Sequence, residues 1–158
     1  MSLKQKNVVI VSALRTAVGK FNGSLSNMQG HELGSTVVKE IIKKSKLKPH
    51  EIDELIMGQV LTSASGQNPA RQAAVQSQIP IDKTAYTINQ VCGSGLRSVA
   101  AGYQAIKSED SKIVIAGGQE SMTNAPHAIH FRNDKKIDTS KLIDTMIKDG
   151  LWDAFNGY

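Results

Sequence analysis

The chain has 158 residues, 40% hydrophobic and 21% charged, which is the composition of one ordinary globular domain. Its single cysteine excludes an internal disulfide, and its apolar runs are too short to span a bilayer. The net charge of +5 comes from scattered lysines without interleaved aromatic residues, so no nucleic-acid motif is recognisable. We therefore expect a soluble, cytoplasmic protein with neither a nucleic-acid nor a membrane partner.

Strand-like and helix-like runs alternate from the start of the chain. Residues 8–11 form a continuous apolar, β-branched run, which is typical of a strand buried on both faces. Apolar residues at helical spacing follow over 31–45. Residues 54–61 then read as a second strand, so the chain opens with a strand–helix–strand unit.

The alternation continues as far as residue 118. Asparagine followed by proline at 68–69 is a typical helix start and predicts a helix that ends near residue 78. Residues 84–91 and 112–118 read as the third and fourth strands, with a helix over 93–107 between them. The order βαβαβαβ predicts an α/β fold with a layered, mostly parallel sheet.

The character of the chain changes after residue 118. Residues 119–158 contain no strand of the fully apolar kind and only a weak helical pattern over 139–148. We therefore interpret 1–118 as one domain and 119–158 as the start of a loop-rich segment.

The only cysteine, Cys92, lies in the stretch NQVCGSGLRSVAA, between the third predicted strand and the helix after it. Unpaired first-turn amides and the helix dipole favour a thiolate there, and an amide could stabilise an oxyanion. Gly93 and Gly95 leave room for a bulky acyl group, and the turn resembles a nucleophile elbow. Alternatively, Cys92 is a small buried residue of the core.

The other candidate groups are less specific. His127 and His130 are either acid–base groups or surface residues of a loop. Residues 117–122 form either a tight loop beside Cys92 or a plain turn at the end of a strand. The lysines over 39–48 are either a solvated helix face or a patch for phosphate or a partner. No Cys/His spacing points to a zinc site.

Several stretches, taken together and in this order, resemble the amino-terminal part of the thiolase family, of the acetyl-CoA acetyltransferase type. They are residues 11–21, 66–73, 89–101, 117–122 with 125–127, and 149–155. The resemblance implies that Cys92 is the nucleophile that becomes acetylated and that its backbone amide forms half of an oxyanion hole. It also implies that Met122 lies near the substrate pocket.

The resemblance further implies a reversible Claisen reaction in which two acetyl-CoA molecules give acetoacetyl-CoA and CoA. Coenzyme A thioesters are then substrates, and no metal or bound redox cofactor is expected. Family members form dimers or tetramers, so we expect a homo-oligomer.

Family members are longer than this chain, and part of their catalytic machinery has no counterpart here. In them a Gly-His-Pro histidine, an Asn-Glu-Ala-Phe asparagine and a second cysteine lie in a carboxy-terminal half. On this interpretation 1–118 lacks the last strand of its sheet, and 119–158 begins the loop domain. We expect little activity from the chain alone, and a separately encoded carboxy-terminal half is a candidate partner.

Two other functions stay open. One is a non-catalytic thiolase-fold fragment that serves as an interaction or acyl-CoA-binding subunit. The other is a related condensing enzyme such as a ketoacyl synthase, against which residues 117–122 and 150–155 favour a thiolase.

Overall fold

The computed structural model describes residues 7–132 and 136–158. Three helices alternate with three strands in the first part of the chain. They are α1 (Gly30–Lys44), β1 (Glu54–Gly58), α2 (Pro69–Gln76), β2 (Thr84–Ile88), α3 (Ser94–Lys107) and β3 (Val114–Gly118). A single 3₁₀ turn, Pro49–Glu51, leads into β1.

The three strands form a parallel sheet in the order β2-β1-β3. Glu54 pairs with Thr84 and Val114 at one end of the sheet, and Gly58 pairs with Ile88 at the other. All five residues of the central strand β1 are buried, and β1 lies within the strand predicted over 54–61. The predicted α/β class with a parallel sheet is confirmed.

Helices α1 and α2 cover one part of the sheet and form the core with it. Val38 of α1 and Ile52 and Leu55 around β1 are almost completely buried, and the alanines of α2 allow the two helices to approach each other. The side chain of Asn68 caps α2 by accepting a 3.2 Å hydrogen bond from the amide of Arg71. The predicted start of this helix is therefore confirmed.

Helix α3 packs on the sheet with small rather than large residues. Ser94, Ser98 and Gly102 are its buried positions, each four residues from the next. The hydroxyl of Ser98 donates to the carbonyl oxygen of Gly117 on β3 at 2.6 Å. The apolar stripe that predicted this helix is largely exposed instead, and Leu96 is 78% exposed.

The prediction of a strand at residues 8–11 is wrong. Val9, Ile10 and Val11 are 70–80% exposed, and no described residue pairs with this segment. An extended run becomes a strand only when a neighbouring strand satisfies its backbone hydrogen bonds. The outer edge of β3 has no strand beside it among the described residues. The parallel sheet therefore has three strands, and not the four that the predicted order βαβαβαβ requires.

The segment after residue 118 is loop-rich, as expected, but it contains a small antiparallel pair. Strand β4 (His127–Ala128) pairs with β5 (Ile143–Asp144). The helical pattern predicted over 139–148 is instead a 3₁₀ turn at Thr139–Lys141, then β5, then a π-helical turn at Met146–Leu151. The hydroxyl of Thr145 donates to the carbonyl of Pro126 at 2.6 Å, which holds the two parts of this segment together.

Candidate active site

Cys92 lies on a short turn between the end of β2 and the start of α3. Its side chain is exposed, and the next residue, Gly93, is the N-cap of α3. The structure therefore contradicts the interpretation of Cys92 as a small core residue. The carboxyl ends of the three parallel strands lie at this same edge of the sheet, where functional groups of α/β proteins collect.

The turn that carries Cys92 has a strained backbone. Val91 has a φ of +48°, a region in which a β-branched residue is a genuine outlier. Two backbone bonds of 3.0 Å close the turn, from the amide of Gly93 to Gln90 and from the amide of Ser94 to Val91. Such outliers concentrate at functional sites, where the surrounding structure maintains them.

Glycines at three element ends allow α3 to approach the sheet closely beside this turn. A Cβ atom on Gly58, at the end of β1, would overlap the backbone of Ser94 and Gly95. A Cβ atom on Gly118, at the end of β3, would lie 3.4 Å from the Cα atom of Gly95. The first turn of α3 therefore rests on the ends of two strands, and this contact fixes the position of the residues that precede it.

The electrostatics of the turn favour an anion. The amides of Gly95 and Leu96, in the first turn of α3, have no hydrogen-bond acceptor among the described residues. The helix dipole adds a positive end at the same place. An oxyanion formed at a bound carbonyl group is the kind of charge that such an arrangement stabilises.

Within residues 117–122, the first two end β3, and the loop at 119–121 is tied to the end of the neighbouring strand β1. The Glu120 carboxylate accepts hydrogen bonds from the amides of Val60 at 2.8 Å and Leu61 at 3.2 Å, so it joins the loops that follow β1 and β3. Burial raises the pKa of Glu120, and these two amide hydrogen bonds act in the opposite direction. This loop is therefore more than a plain turn at a strand end.

Met122 begins a 3₁₀ turn, Met122–Asn124, and its side chain is partly exposed. It lines a cavity of about 320 Å³ between this turn and residues 16–21. A smaller cavity of about 190 Å³ lies between residues 14–16, α1 and β3. Cys92 does not line either of these two cavities.

The two loop histidines lie in the segment that follows β3. The Nε2 atom of His127, on β4, lies 3.9 Å from a carboxylate oxygen of Asp144 on β5, and the histidine side chain is more than half exposed. His130 is exposed in the following loop. Neither histidine forms a hydrogen bond with Cys92 in the part of the chain that the structure describes.

Sequence reasoning identified Cys92 but not the residues that shape its turn. Asn89 accepts a 2.9 Å hydrogen bond from the amide of Val91, and Ser94 contributes a buried hydroxyl beside the cysteine. An asparagine two residues before the strained position is the one available signal, because Asn side chains commonly form such turns. The anchoring role of Glu120 has no local sequence pattern.

Two features are absent from residues 7–132 and 136–158. No group of three His, Cys, Asp or Glu side chains is arranged so that it could hold a metal ion. None of the helices described there is long and apolar enough to cross a membrane.

The chain matches a known protein family along almost its whole length. Residues 8–158 match the family described as thiolase, N-terminal domain, and the chain belongs to the thiolase family. The fold agrees, since a crystal structure of Acat5 thiolase from Ascaris suum in complex with coenzyme A superposes with a TM-score of 0.83. That structure is 38% identical, and the match covers 89% of this chain and 37% of the other.

Among individual proteins, the chain is similar to acetyl-CoA acetyltransferases. It is 52% identical over 156 residues to that of Rhizobium meliloti, covering 99% of this chain and 40% of the relative. It is 48% identical over 151 residues to the cytosolic acetyl-CoA acetyltransferase of Rattus norvegicus, covering 96% of this chain and 38% of the relative. The chain therefore spans about two fifths of the length of the curated relatives that it matches.

Proposed function

We propose that this chain carries the nucleophile of an acetyl-CoA acetyltransferase and that Cys92 is that nucleophile. The observation that carries the proposal is the exposed thiol of Cys92, on a strained turn between the end of a parallel strand and a helix N-terminus. Support comes from the names of the similar proteins and from the coenzyme A bound by the similar Ascaris suum thiolase.

The first step is acyl transfer to sulfur. The Cys92 thiolate attacks the carbonyl carbon of acetyl-CoA, a new sulfur–carbon bond forms, and the carbonyl oxygen becomes an oxyanion. When the carbonyl bond reforms, the bond to the coenzyme A sulfur breaks and coenzyme A leaves as a thiolate that takes up a proton. The backbone amide of Cys92 supplies one of the hydrogen bonds to the oxyanion.

The second step forms a carbon–carbon bond. A base removes a proton from the methyl group of a second acetyl-CoA, and the resulting carbanion attacks the acetyl-cysteine. Acetoacetyl-CoA is released and the Cys92 thiolate is regenerated. The thioesters are substrates in both steps, and the proposal includes no resident metal or redox cofactor. We place Met122 along the substrate pocket.

Among the described residues, no histidine forms a hydrogen bond with the Cys92 thiol. The four histidines are His31 in α1, His50 in a 3₁₀ turn, and His127 and His130 in the loop segment. We propose that the bases come from a carboxy-terminal half, separately encoded or continuous with this chain, and that the functional form is a cytoplasmic homo-oligomer. A polypeptide of these 158 residues then turns over slowly, since a general base typically contributes about 10²–10⁴-fold.

A two-part kinetic experiment tests this proposal. The purified chain is mixed with acetyl-CoA and the released coenzyme A thiol is counted, and in a second assay acetoacetyl-CoA is supplied with excess coenzyme A. We expect at most one thiol released per chain and little thiolysis. The Cys92→Ala variant is expected to release none.

Two outcomes would contradict the proposal. Release that persists in Cys92→Ala would exclude the cysteine as nucleophile. Saturable acetyl-CoA binding without any thiol release would instead favour a non-catalytic acyl-CoA-binding subunit.

A further inference from the structure

We propose that Ser94 is a positioning residue that holds Cys92 in its exposed orientation by maintaining the strained backbone of Val91. This inference rests on the proposed function of Cys92, because Ser94 is the residue that connects the sheet to the turn of that nucleophile. It concerns a side chain that does not itself touch the reacting atoms.

The hydroxyl group of Ser94 makes two hydrogen bonds across the turn. Its oxygen accepts from the amide of Gln90 at 2.8 Å, and its proton is donated to the carbonyl oxygen of Val91 at 2.5 Å. The bonds therefore engage the backbone on both sides of the Gln90–Val91 peptide link. Cys92 follows directly, so a rotation of that peptide link would redirect its side chain.

Ser94 is held in place by the structure around it. The residue is only 4% exposed, whereas Cys92, two residues earlier, is exposed. Its backbone lies against Gly58 at the end of β1, with no space for even a Cβ atom between them. Ser94 thus connects the turn to the most buried strand of the sheet.

The conformation that Ser94 holds is one that Val91 does not adopt by preference. A positive φ at a β-branched residue persists only where surrounding contacts over-determine it. Asn89 provides one such contact, with its side-chain oxygen 2.9 Å from the amide of Val91, but Asn89 is exposed. Beside the two backbone hydrogen bonds that close the turn, the buried hydroxyl of Ser94 adds a side-chain contact that is shielded from competition by water.

The central variant is Ser94→Ala, which removes the hydroxyl and keeps the Cβ atom. Ser98→Ala is the matched control, because Ser98 is also a buried serine of α3 but bonds to Gly95 and Gly117 rather than to the turn. Folding of each variant is verified by circular dichroism and urea unfolding. Two readouts follow: the rate of Cys92 acetylation by acetyl-CoA, and the NMR chemical shifts and HN–Hα coupling of Val91.

We expect Ser94→Ala to slow acetylation by about tenfold or more, since small misplacements of reacting groups have effects of this size. We expect the Val91 signals to leave the left-handed region in the same variant. In Ser98→Ala the Val91 signals should be unchanged, and the acetylation rate should stay within about twofold of the wild type.

A rescue variant separates positioning from general weakening of the fold. Glycine adopts a positive φ without steric cost, and Val91 is exposed, so Val91→Gly leaves no cavity. The loss caused by Ser94→Ala should therefore be smaller in the Val91→Gly background than in the wild type. An equal loss in both backgrounds would overturn the inference.

Unchanged Val91 signals in Ser94→Ala would also overturn it, as would an equal rate loss in Ser98→Ala. If the wild type itself is not acetylated, the proposed function fails, and the Val91 signals still decide whether Ser94 holds the turn.

Discussion

Gly58 at the end of β1 packs directly against the backbone of Ser94 in the first turn of α3. No side chain separates them, and a Cβ atom built on Gly58 would overlap the carbonyl group of Ser94. This contact seats the helix that follows Cys92 on the central strand of the sheet. The position of the cysteine is thus determined by a glycine that lies 34 residues earlier in the chain.

The first prediction concerns this contact. Gly58→Ala should force α3 away from β1, because backbone atoms cannot move aside as a flexible side chain can. We expect a loss of about 1–3 kcal/mol in the free energy of unfolding, the usual effect of overpacking, together with slower acetylation of Cys92. Urea unfolding and the acetylation rate measure the two effects.

Gly117→Ala is the matched control for this substitution. Gly117 also lies at the end of a strand, but an added Cβ atom there would meet nothing within 4 Å. We expect its free energy of unfolding to stay within about 0.5 kcal/mol of the wild type. Equal losses in the two variants would show that the packing of α3 on β1 is not the cause.

The second prediction concerns Asp53, at the opposite edge of the sheet. Its carboxylate accepts from the amides of Lys112 at 2.8 Å and Ile113 at 3.1 Å, and the Lys83 ammonium lies 3.4 Å away. The hydrogen bond from Lys112 is the largest cause that lowers the pKa of Asp53 below its ordinary value of 3.8. The ionised carboxylate therefore joins the starts of β1, β2 and β3.

The pH dependence follows from the sign of this change. Because the folded pKa lies below the unfolded one, the stabilisation is present above pH 3.8 and is lost as the pH falls through the folded pKa. Asp53→Asn should reduce the free energy of unfolding by about 1–2 kcal/mol at neutral pH, and by less in acid. Urea unfolding at several pH values measures the difference.

The control is Asp82→Asn, at an exposed carboxylate for which the described residues provide no hydrogen-bond partner. It should change the free energy of unfolding little at any of these pH values. A constant difference between Asp53→Asn and the wild type down to acid pH would contradict the assignment.

The third prediction has the opposite sign. Burial raises the pKa of Glu120 above its ordinary value of 4.5, so the folded protein retains this proton to a higher pH than the unfolded chain does. The contribution of Glu120 to stability should therefore fall as the pH rises from 4.5 through the folded pKa. The slope is at most about 1.4 kcal/mol per pH unit, the value for one proton.

Comparison of the wild type with Glu120→Gln isolates this slope, since glutamine does not titrate. Glu40→Gln, on an exposed position of α1, is the control for removal of one carboxylate at the surface. If the wild type gains stability relative to Glu120→Gln over the same interval, the burial of Glu120 does not dominate its titration.

Much of the fold could be predicted because local patterns agree with the tertiary structure. The helix over 31–45 and the capped helix start at 68–69 were recognisable from periodicity and from the Asn-Pro pair. Strand β1 lies within the strand predicted over 54–61. In each of these elements the local preference and the packing favour the same conformation.

Local pattern and packing separate in two segments, and in the first of them the prediction fails. Residues 8–11 have strand propensity, but propensity does not supply a neighbouring strand. In α3 the apolar residues predict a helix correctly, whereas serine and glycine provide the face that meets the sheet. Close packing there requires small side chains, which hydrophobic periodicity does not detect.

In the candidate site, too, the local sequence predicts some features and long-range contacts determine the others. Cys92 could be predicted because its neighbours in sequence, two glycines and a helix start, give its local setting. The contributions of Gly58 and Glu120 depend on contacts between strand ends far apart in the chain. Such contacts leave no pattern in the residues around either position.

The central claim is that Cys92 takes the acetyl group, and peptide mapping by mass spectrometry tests it most directly. After incubation with acetyl-CoA, the tryptic peptide of residues 84–97, which contains Cys92 and no lysine, is analysed with and without neutral hydroxylamine. We predict one acetyl group on this peptide at Cys92, removed by hydroxylamine as a thioester and absent in Cys92→Ser. Acetyl groups found only on lysine residues, or an unmodified peptide 84–97, would contradict the account.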